Sequence, residues 1–311
     1  MNRFKNILVV ASADEALPNL LARAAALARV NDARLTLLGF VETPRTPRHL
    51  KLDDGEEIGF QSYLERTRRE ELDAATAAVP DIPIAVEVAG GIDFVEVIRR
   101  VVQNSHDLVI AEPQPTGRRM GLAGASLTMH LLRKCPVPVW VESGDDTLSA
   151  DVAVAVGPFA DEAGQDALSI MLLELGASLA AMRGGTLHVV HAWRLVGESM
   201  LRRGRHRPPQ SEVDAMVADA FRTAELDLEG LMASAPDMDA PINRHLVNGE
   251  AGTVVPEILG TLSPGVVVMG TLARAGLKGV FFGNTAERVL GSIDVPVLAV
   301  KPPGFETPVA V

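Results

Sequence analysis

A chain of 311 residues is long enough for two domains, and a composition that is 47% apolar but only 4% aromatic suits buried parallel strands covered by helices. The formal net charge of −11 excludes a general nucleic-acid or anionic-membrane surface, because such partners need Lys and Arg. A single cysteine, Cys135, excludes an intrachain disulfide, and no run reaches the ~18 apolar residues of a membrane span. The start, Met1-Asn2-Arg3-Phe4-Lys5, leads into a strand, so the expectation is a protein of the reducing cytoplasm.

In chain order, Asn6 to Ala11 reads as a buried strand, and Leu17, Leu20, Leu21, Ala24, Ala25 and Leu27 then recur at helical spacing. Leu35 to Val41 is the second strand. After a long segment, Tyr63 to Ala78 reads as a helix whose Arg66, Arg68, Arg69, Glu70 and Glu71 form a solvated face. Strand Ile84 to Ala89, helix Phe94 to Val102, strand Leu108 to Ala111, helix Ser126 to Arg133 and strand Val137 to Val141 complete the first half. The polar linker Ser143 to Ser149 separates it from the second.

The second half repeats that alternation: strand Val152 to Val156, helix Leu168 to Ala181, strand Thr186 to Ala192, helix Val213 to Met232, strand Ile242 to Val247 and helix Val254 to Leu262. The closing segments repeat in detail. Val137-Pro138-Val139 and Val295-Pro296-Val297 stand 158 residues apart, and the same offset lays Leu108-Val109-Ile110 on Val266-Val267-Val268 and Gly121 on Gly279. The chain therefore reads as one α/β domain written twice, with boundaries expected at 1–144 and 150–303. Long crossovers imply parallel strands, and ligands of such sheets collect at the strands' carboxyl ends, near helix N-termini that can hold an anion.

The order of elements, the loop from Gly270 to Glu287 and the V-P-V strand behind it resemble the universal stress protein family. His130-Leu131-Leu132-Arg133-Lys134-Cys135-Pro136, Gly283-Asn284-Thr285-Ala286-Glu287 and Lys301-Pro302 look like its tandem, E-type members. The resemblance implies two Rossmann-like domains of the adenine nucleotide alpha hydrolase type. Each would carry a five-stranded parallel sheet in the order 3-2-1-4-5, the two packing as an intrachain pseudo-dimer that can also form a homodimer. It further implies a stress-response protein without turnover.

Nucleotide-binding members of the family carry Gly, two residues, Gly, nine residues, then Gly followed by Ser or Thr. The glycines let backbone N–H groups close on phosphate oxygens. Carried onto the second half, these places are Gly270, Ala273, Gly283 and Asn284, with Thr285 following and Ala192 at the second-strand end near a bound base. Ala273 adds a Cβ where a phosphate oxygen would lie, while Asn284 retains a capping amide. The resemblance thus implies weak or vestigial binding of ATP or AMP in the second domain. In the first half the same places are Glu112, Pro115, Ala125 and Ser126, which set a carboxylate beside a phosphate and remove an N–H. The family's Asp after the first strand is replaced by Ser12 and Gly157, with Asp14 and Asp161 a few residues on.

Other chemistry reads as weaker. His188 and His191 lie three apart on one strand and point to opposite faces, and His245 and Glu250 complete no ligand set by spacing, so no metal is expected. His191 and Trp193 would lie at a polar strand end near the cleft. Arg202-Arg203-Gly204-Arg205-His206-Arg207 reads as an exposed, mobile loop, and Cys135 as a small core residue. Ser126 has no His and acid at triad spacing. Two alternatives stay open: a weak ATPase using Lys278, which lacks an evident acidic partner for Mg²⁺, and an apolar ligand held by Leu277, Val280, Phe281 and Phe282. Arg274 is a further cation in that loop.

Overall fold

In the computed structural model the described residues are 3–11, 17–91, 93–112, 127–142, 149–157, 165–205, 207–235, 238–271 and 283–310. The chain divides into two compact units, Met1–Gly144 with Glu306–Val311, and Asp145–Phe305.

The first unit contains β1 (Asn6–Val10), α1 (Leu17–Asn31), β2 (Arg34–Val41), β3 (His49–Lys51), β4 (Glu57–Gly59), α2 (Phe60–Thr76), β5 (Ile84–Gly90), α3 (Phe94–Gln103), β6 (Leu108–Ala111), α4 (Leu127–Lys134) and β7 (Val139–Val141). Its main sheet runs β5-β2-β1-β6-β7, and every neighbouring pair is parallel. Numbered within the unit, this is the order 3-2-1-4-5. The central strands are apolar on both faces because helices cover both: Ile7, Leu8 and Val9 of β1 and Leu108 and Val109 of β6 are fully buried. On α1, Leu17, Leu20, Leu21, Ala24, Ala25 and Ala28 form the buried stripe. The closing segment of the chain lies on this unit, where Arg99 of α3 donates from Nε to the Ala310 carbonyl (3.3 Å).

The second unit contains β8 (Val152–Val156), α5 (Gln165–Arg183), β9 (Leu187–Trp193), α6 (Glu198–Arg203), α7 (Gln210–Ser234), β10 (Ile242–Asn248), α8 (Ala251–Leu262), β11 (Val266–Gly270), α9 (Asn284–Leu290) and β12 (Val297–Val300). Its strands run β10-β9-β8-β11-β12, again all parallel and again 3-2-1-4-5. Val152, Ala153, Val154, Val266, Val267 and Val268 are fully buried at its centre.

Three local readings need correction. The V-P-V runs enter the sheet only from their second Val. Proline has no N–H to give the ladder, so Pro138 and Pro296 contribute only their carbonyls, which accept from Val109 N (3.0 Å) and Val267 N (2.9 Å). The segment between Val41 and α2 contains the antiparallel hairpin β3–β4, whose turn uses Gly55 at φ +88. The basic run begins inside a helix: Arg202 and Arg203 end α6, and Arg202 pairs with Glu198 (2.7 Å) and Asp214 (2.9 Å).

Helix α5 approaches the sheet more closely than a side chain allows. A Cβ on Gly176 would lie 2.1 Å from Val154 Cγ2 and 3.0 Å from Leu187 Cδ1. Gly176→Ala would gain at most ~1 kcal/mol of helix propensity against an overpacking cost of about 1–3 kcal/mol. The variant is therefore expected to unfold at lower urea concentration than the parent. A raised midpoint would show that α5 moves away freely.

Candidate functional site

Parallel pairing brings the carboxyl ends of all five main-sheet strands of each unit to one edge. In the second unit that edge is formed by Val156, the last residue of β8, and Gly157 after it, by Ala192 and Trp193 of β9, and by Gly270, the last residue of β11, and Thr271 after it. Gly157 adopts φ +92, a turn that favours glycine. Thr271 N–H donates to the Val300 carbonyl (3.2 Å), and its own carbonyl accepts from Gly283 N–H (3.0 Å). This second bond ties the end of β11 to the start of α9, where Asn284 is the first helical residue and Glu287 N–H returns to the Gly283 carbonyl (2.9 Å).

Among the described residues, two buried polar atoms at this edge have no hydrogen-bond partner: Thr271 Oγ1, on a residue with no exposed surface, and Trp193 Nε1. Such atoms each cost about 1–3 kcal/mol unless a water or ligand completes them. Trp193 packs edge-on against Phe221 of α7, with ring centroids 5.3 Å apart. Lys301, immediately after β12, is buried, with Nζ 5.5 Å from the Phe305 ring centroid. Gly270 has a packing reason of its own, since a Cβ there would meet Leu168 Cδ2 at 2.9 Å.

The corresponding edge of the first unit carries acid. Glu112 follows β6 and is 3% exposed, and Glu142 follows β7 and is 6% exposed. Glu142 Oε2 lies 2.8 Å from Arg23 Nη1 of α1, and its backbone N–H donates to Ala111 O (3.0 Å). Thr128 Oγ1 donates to the Glu112 carbonyl (3.2 Å). At the 158-residue offset, Glu112 and Glu142 correspond in sequence to Gly270 and Val300 of the second unit. The two edges therefore share a backbone plan and differ in charge.

Of the residues singled out from sequence, Gly270 and Gly283 are joined through Thr271. Ala192 stands at the end of β9, and Thr285 is exposed in the first turn of α9. Ala273, Arg274, Leu277, Lys278, Val280, Phe281 and Phe282 lie outside the described residues. So do Ser12, Asp14, Asp161, Pro115, Ala125 and Ser126. Cys135 is fully buried. His191 points its Nδ1 at the Val156 carbonyl (3.2 Å), and burial holds its imidazole below the ordinary range, so the neutral ring is favoured. His188 turns to the other face and meets His245, Nδ1 to Nε2 at 2.9 Å, with Asp151 Oδ2 at 3.7 Å from its Nε2. That grouping was missed, because the two histidines are 57 residues apart and only strand register unites them. Among the described residues no group of three or more His, Cys, Asp or Glu converges to hold a metal ion. No described helix is long and apolar enough to cross a membrane.

The fold and its two edges define a duplicated, doubly wound α/β protein. The universal stress protein family profile matches residues 3–141 and 162–301, and the chain belongs to that family. Universal stress protein E of Escherichia coli (strain K12) is 30% identical over 234 residues, which cover 73% of this chain and 71% of that protein. The Universal stress protein E homolog of Haemophilus influenzae is 25% identical over 320 residues, covering 96% and 98%. Among solved structures, a functionally unknown protein from Pseudomonas aeruginosa PAO1 superposes with a TM-score of 0.69 at 21% identity, covering 97% of this chain and 94% of that one. A universal stress protein from Archaeoglobus fulgidus does so at 0.57 and 14% identity, covering 95% and 96%. At these identities the two structures speak to fold alone.

The Glu142 carboxylate is almost fully buried, and Arg23→Met removes a cation 2.8 Å from it. Arg23→Met is expected to destabilise the protein by about 3 kcal/mol in urea unfolding at neutral pH. A change below about 0.5 kcal/mol, the usual size for a surface substitution, would show that the pair contributes little.

Proposed function

We propose that this tandem universal stress protein is a non-catalytic stress-response protein that binds an adenine nucleotide, ATP or AMP, in its second unit only. The observation that carries this reading is the contrast between the two carboxyl edges. The second edge offers a Thr271 hydroxyl without a partner among the described residues, a buried Lys301 and a backbone bond from Gly283 N–H to the Thr271 carbonyl. The first places two buried carboxylates at the corresponding strand ends. Carboxylates at those strand ends disfavour a phosphate, since like charges about 4 Å apart cost on the order of 4 kcal/mol near a protein surface before a cation such as Arg23, beside Glu142, offsets part of it. The family's Gly-loop pattern, of which Gly270 and Gly283 survive, supports the ligand class. Ala192 and Trp193, at the end of β9, would lie beside the base, while Asn284 and Thr285 begin the helix behind the loop.

The functional domains on this reading are 1–144 and 150–303. Binding is weak because Ala273 replaces a loop glycine and neither half keeps the family's Asp after the first strand.

Isothermal titration of the full chain with ATP and with AMP tests the proposal. One site per chain is expected, with no phosphate released at saturating ATP, and Thr271→Val should weaken binding about tenfold while the circular dichroism spectrum is unchanged. Two sites of similar affinity, or no heat with either nucleotide, would overturn it.

A further inference from the structure

The opposite, amino-terminal end of the second sheet carries a cluster for which the nucleotide reading has no use. Asp151 precedes β8, and its Oδ1 accepts from Thr186 N–H (2.8 Å), which fixes the carboxylate beside the start of β9. His188, the second residue of β9, is 8% exposed and lies between that carboxylate and His245 of β10. The facing imidazole nitrogens are 2.9 Å apart and the ring centroids 5.2 Å apart. At that separation one nitrogen must carry a proton and the other a lone pair.

Strand register explains the meeting. His188 is opposite Asn243, and His245 lies two residues further along β10, on the same face by the period of two. The other face belongs to α5 and α7: Gly176 of α5 abuts Val154 and Leu187, and Trp193 meets Phe221 of α7. The imidazole pair therefore lies on the α8 side, where the one titratable residue of α8, Glu257, is exposed. Arg244 alternates to the opposite face, 3.7 Å from Glu229 of α7, and His191 turns there too. Arg183, closing α5, donates to the carbonyls of Ser149 (2.6 Å) and Ala150 (3.3 Å), beside Asp151. Asp239 is the remaining described charge in the segment before β10.

We propose that Asp151, His188 and His245 form a proton-operated clasp that fastens the edge strand β10 to β9. With both rings neutral, or with one protonated, an N–H donates to a lone pair across the gap and the clasp is closed. When both rings are cations, two N–H groups face each other and two positive charges are pressed together. The rings then separate, and β10 keeps only its backbone ladder. Asp151 is held below the usual carboxylate range, chiefly by the Thr186 amide, so it remains an anion 3.7 Å from His188 Nε2. Burial, and next the neighbouring His188, hold His245 below the ordinary imidazole range. A histidine lowered in this way favours the folded state in its neutral form. Its contribution is fully present above about pH 6.5 and is lost as pH falls through the lowered value. The clasp therefore opens on the acid side of pH 6.5.

Hydrogen–deuterium exchange of the full chain at pH 7.5 and pH 5.0, corrected for the intrinsic pH dependence of amide exchange, tests this directly and independently of any nucleotide. Protection in β10 should fall about tenfold at pH 5.0 while β12 is unchanged, as for a local opening. His245→Gln should abolish the difference between the two pH values, whereas His191→Gln should leave it. Asp151→Asn, which keeps the acceptor for Thr186 but removes the charge, should move the opening midpoint to lower pH. It decides the matter should His245→Gln fail to fold. Equal β10 protection at both pH values, a drop that persists in His245→Gln, or an unmoved midpoint in Asp151→Asn would overturn the proposal.

Discussion

Parallel strand pairing is the constraint on which the rest depends. A parallel neighbour can be reached only through a long crossover, so every main-sheet strand of each unit runs the same way and all its carboxyl ends lie on one edge. Helices must then cover both faces, which explains why β1, β6, β8 and β11 are apolar without alternation. Polar chemistry is driven to the edges, the only places where such a sheet can display it. The repeated chain therefore carries two such edges built on one plan.

What distinguishes the two edges is electrostatic and not topological. Glu112 and Glu142 stand in the first unit where Gly270 and Val300 stand in the second. The first unit pairs Glu142 internally, through Arg23 of α1 and, on its backbone, the Ala111 carbonyl. The second keeps a buried hydroxyl and a buried indole nitrogen without partners among the described residues. An orphaned donor is a cost with no return in the isolated fold, and a bound ligand is the simplest way to recover it. Amino-terminal edges in both units are secured in a similar manner. Asp107 accepts from the N–H groups of Lys5 (2.6 Å) and Asn6 (3.0 Å), while Asp151 accepts from Thr186. Among the described residues, only in the second unit does a histidine pair join the carboxylate.

Much of the fold was legible because it rests on local, repeated patterns. Alternating apolar runs and helical periodicity located every main-sheet strand and its crossovers, and the 158-residue offset showed the duplication. Prolines 138 and 296 misled the strand starts by two residues, since an apolar pattern does not reveal a missing donor. The β3–β4 hairpin was overlooked although Asp54-Gly55 between Leu50 and Ile58 is a turn signal. Helix α6 was hidden by its charge. Its arginines read as solvated loop, yet Arg202 is held by Glu198 within the helix and Asp214 beyond it. At the candidate site the glycines were visible from sequence, but Thr271 was not, because its importance lies in burial without a partner. The His188–His245 pair was least accessible, since it exists only once β9 and β10 are laid in register.

The central claim is that one edge of a duplicated fold retains an anion-compatible cradle and the other has closed its own. A crystal structure of the full chain grown with AMP tests it most directly. The account expects nucleotide density against Gly270 and Thr271 at the second edge, and the Arg23–Glu142 pair intact at an empty first edge. Equal occupancy of both edges, or nucleotide displacing Glu142 from Arg23, would contradict it.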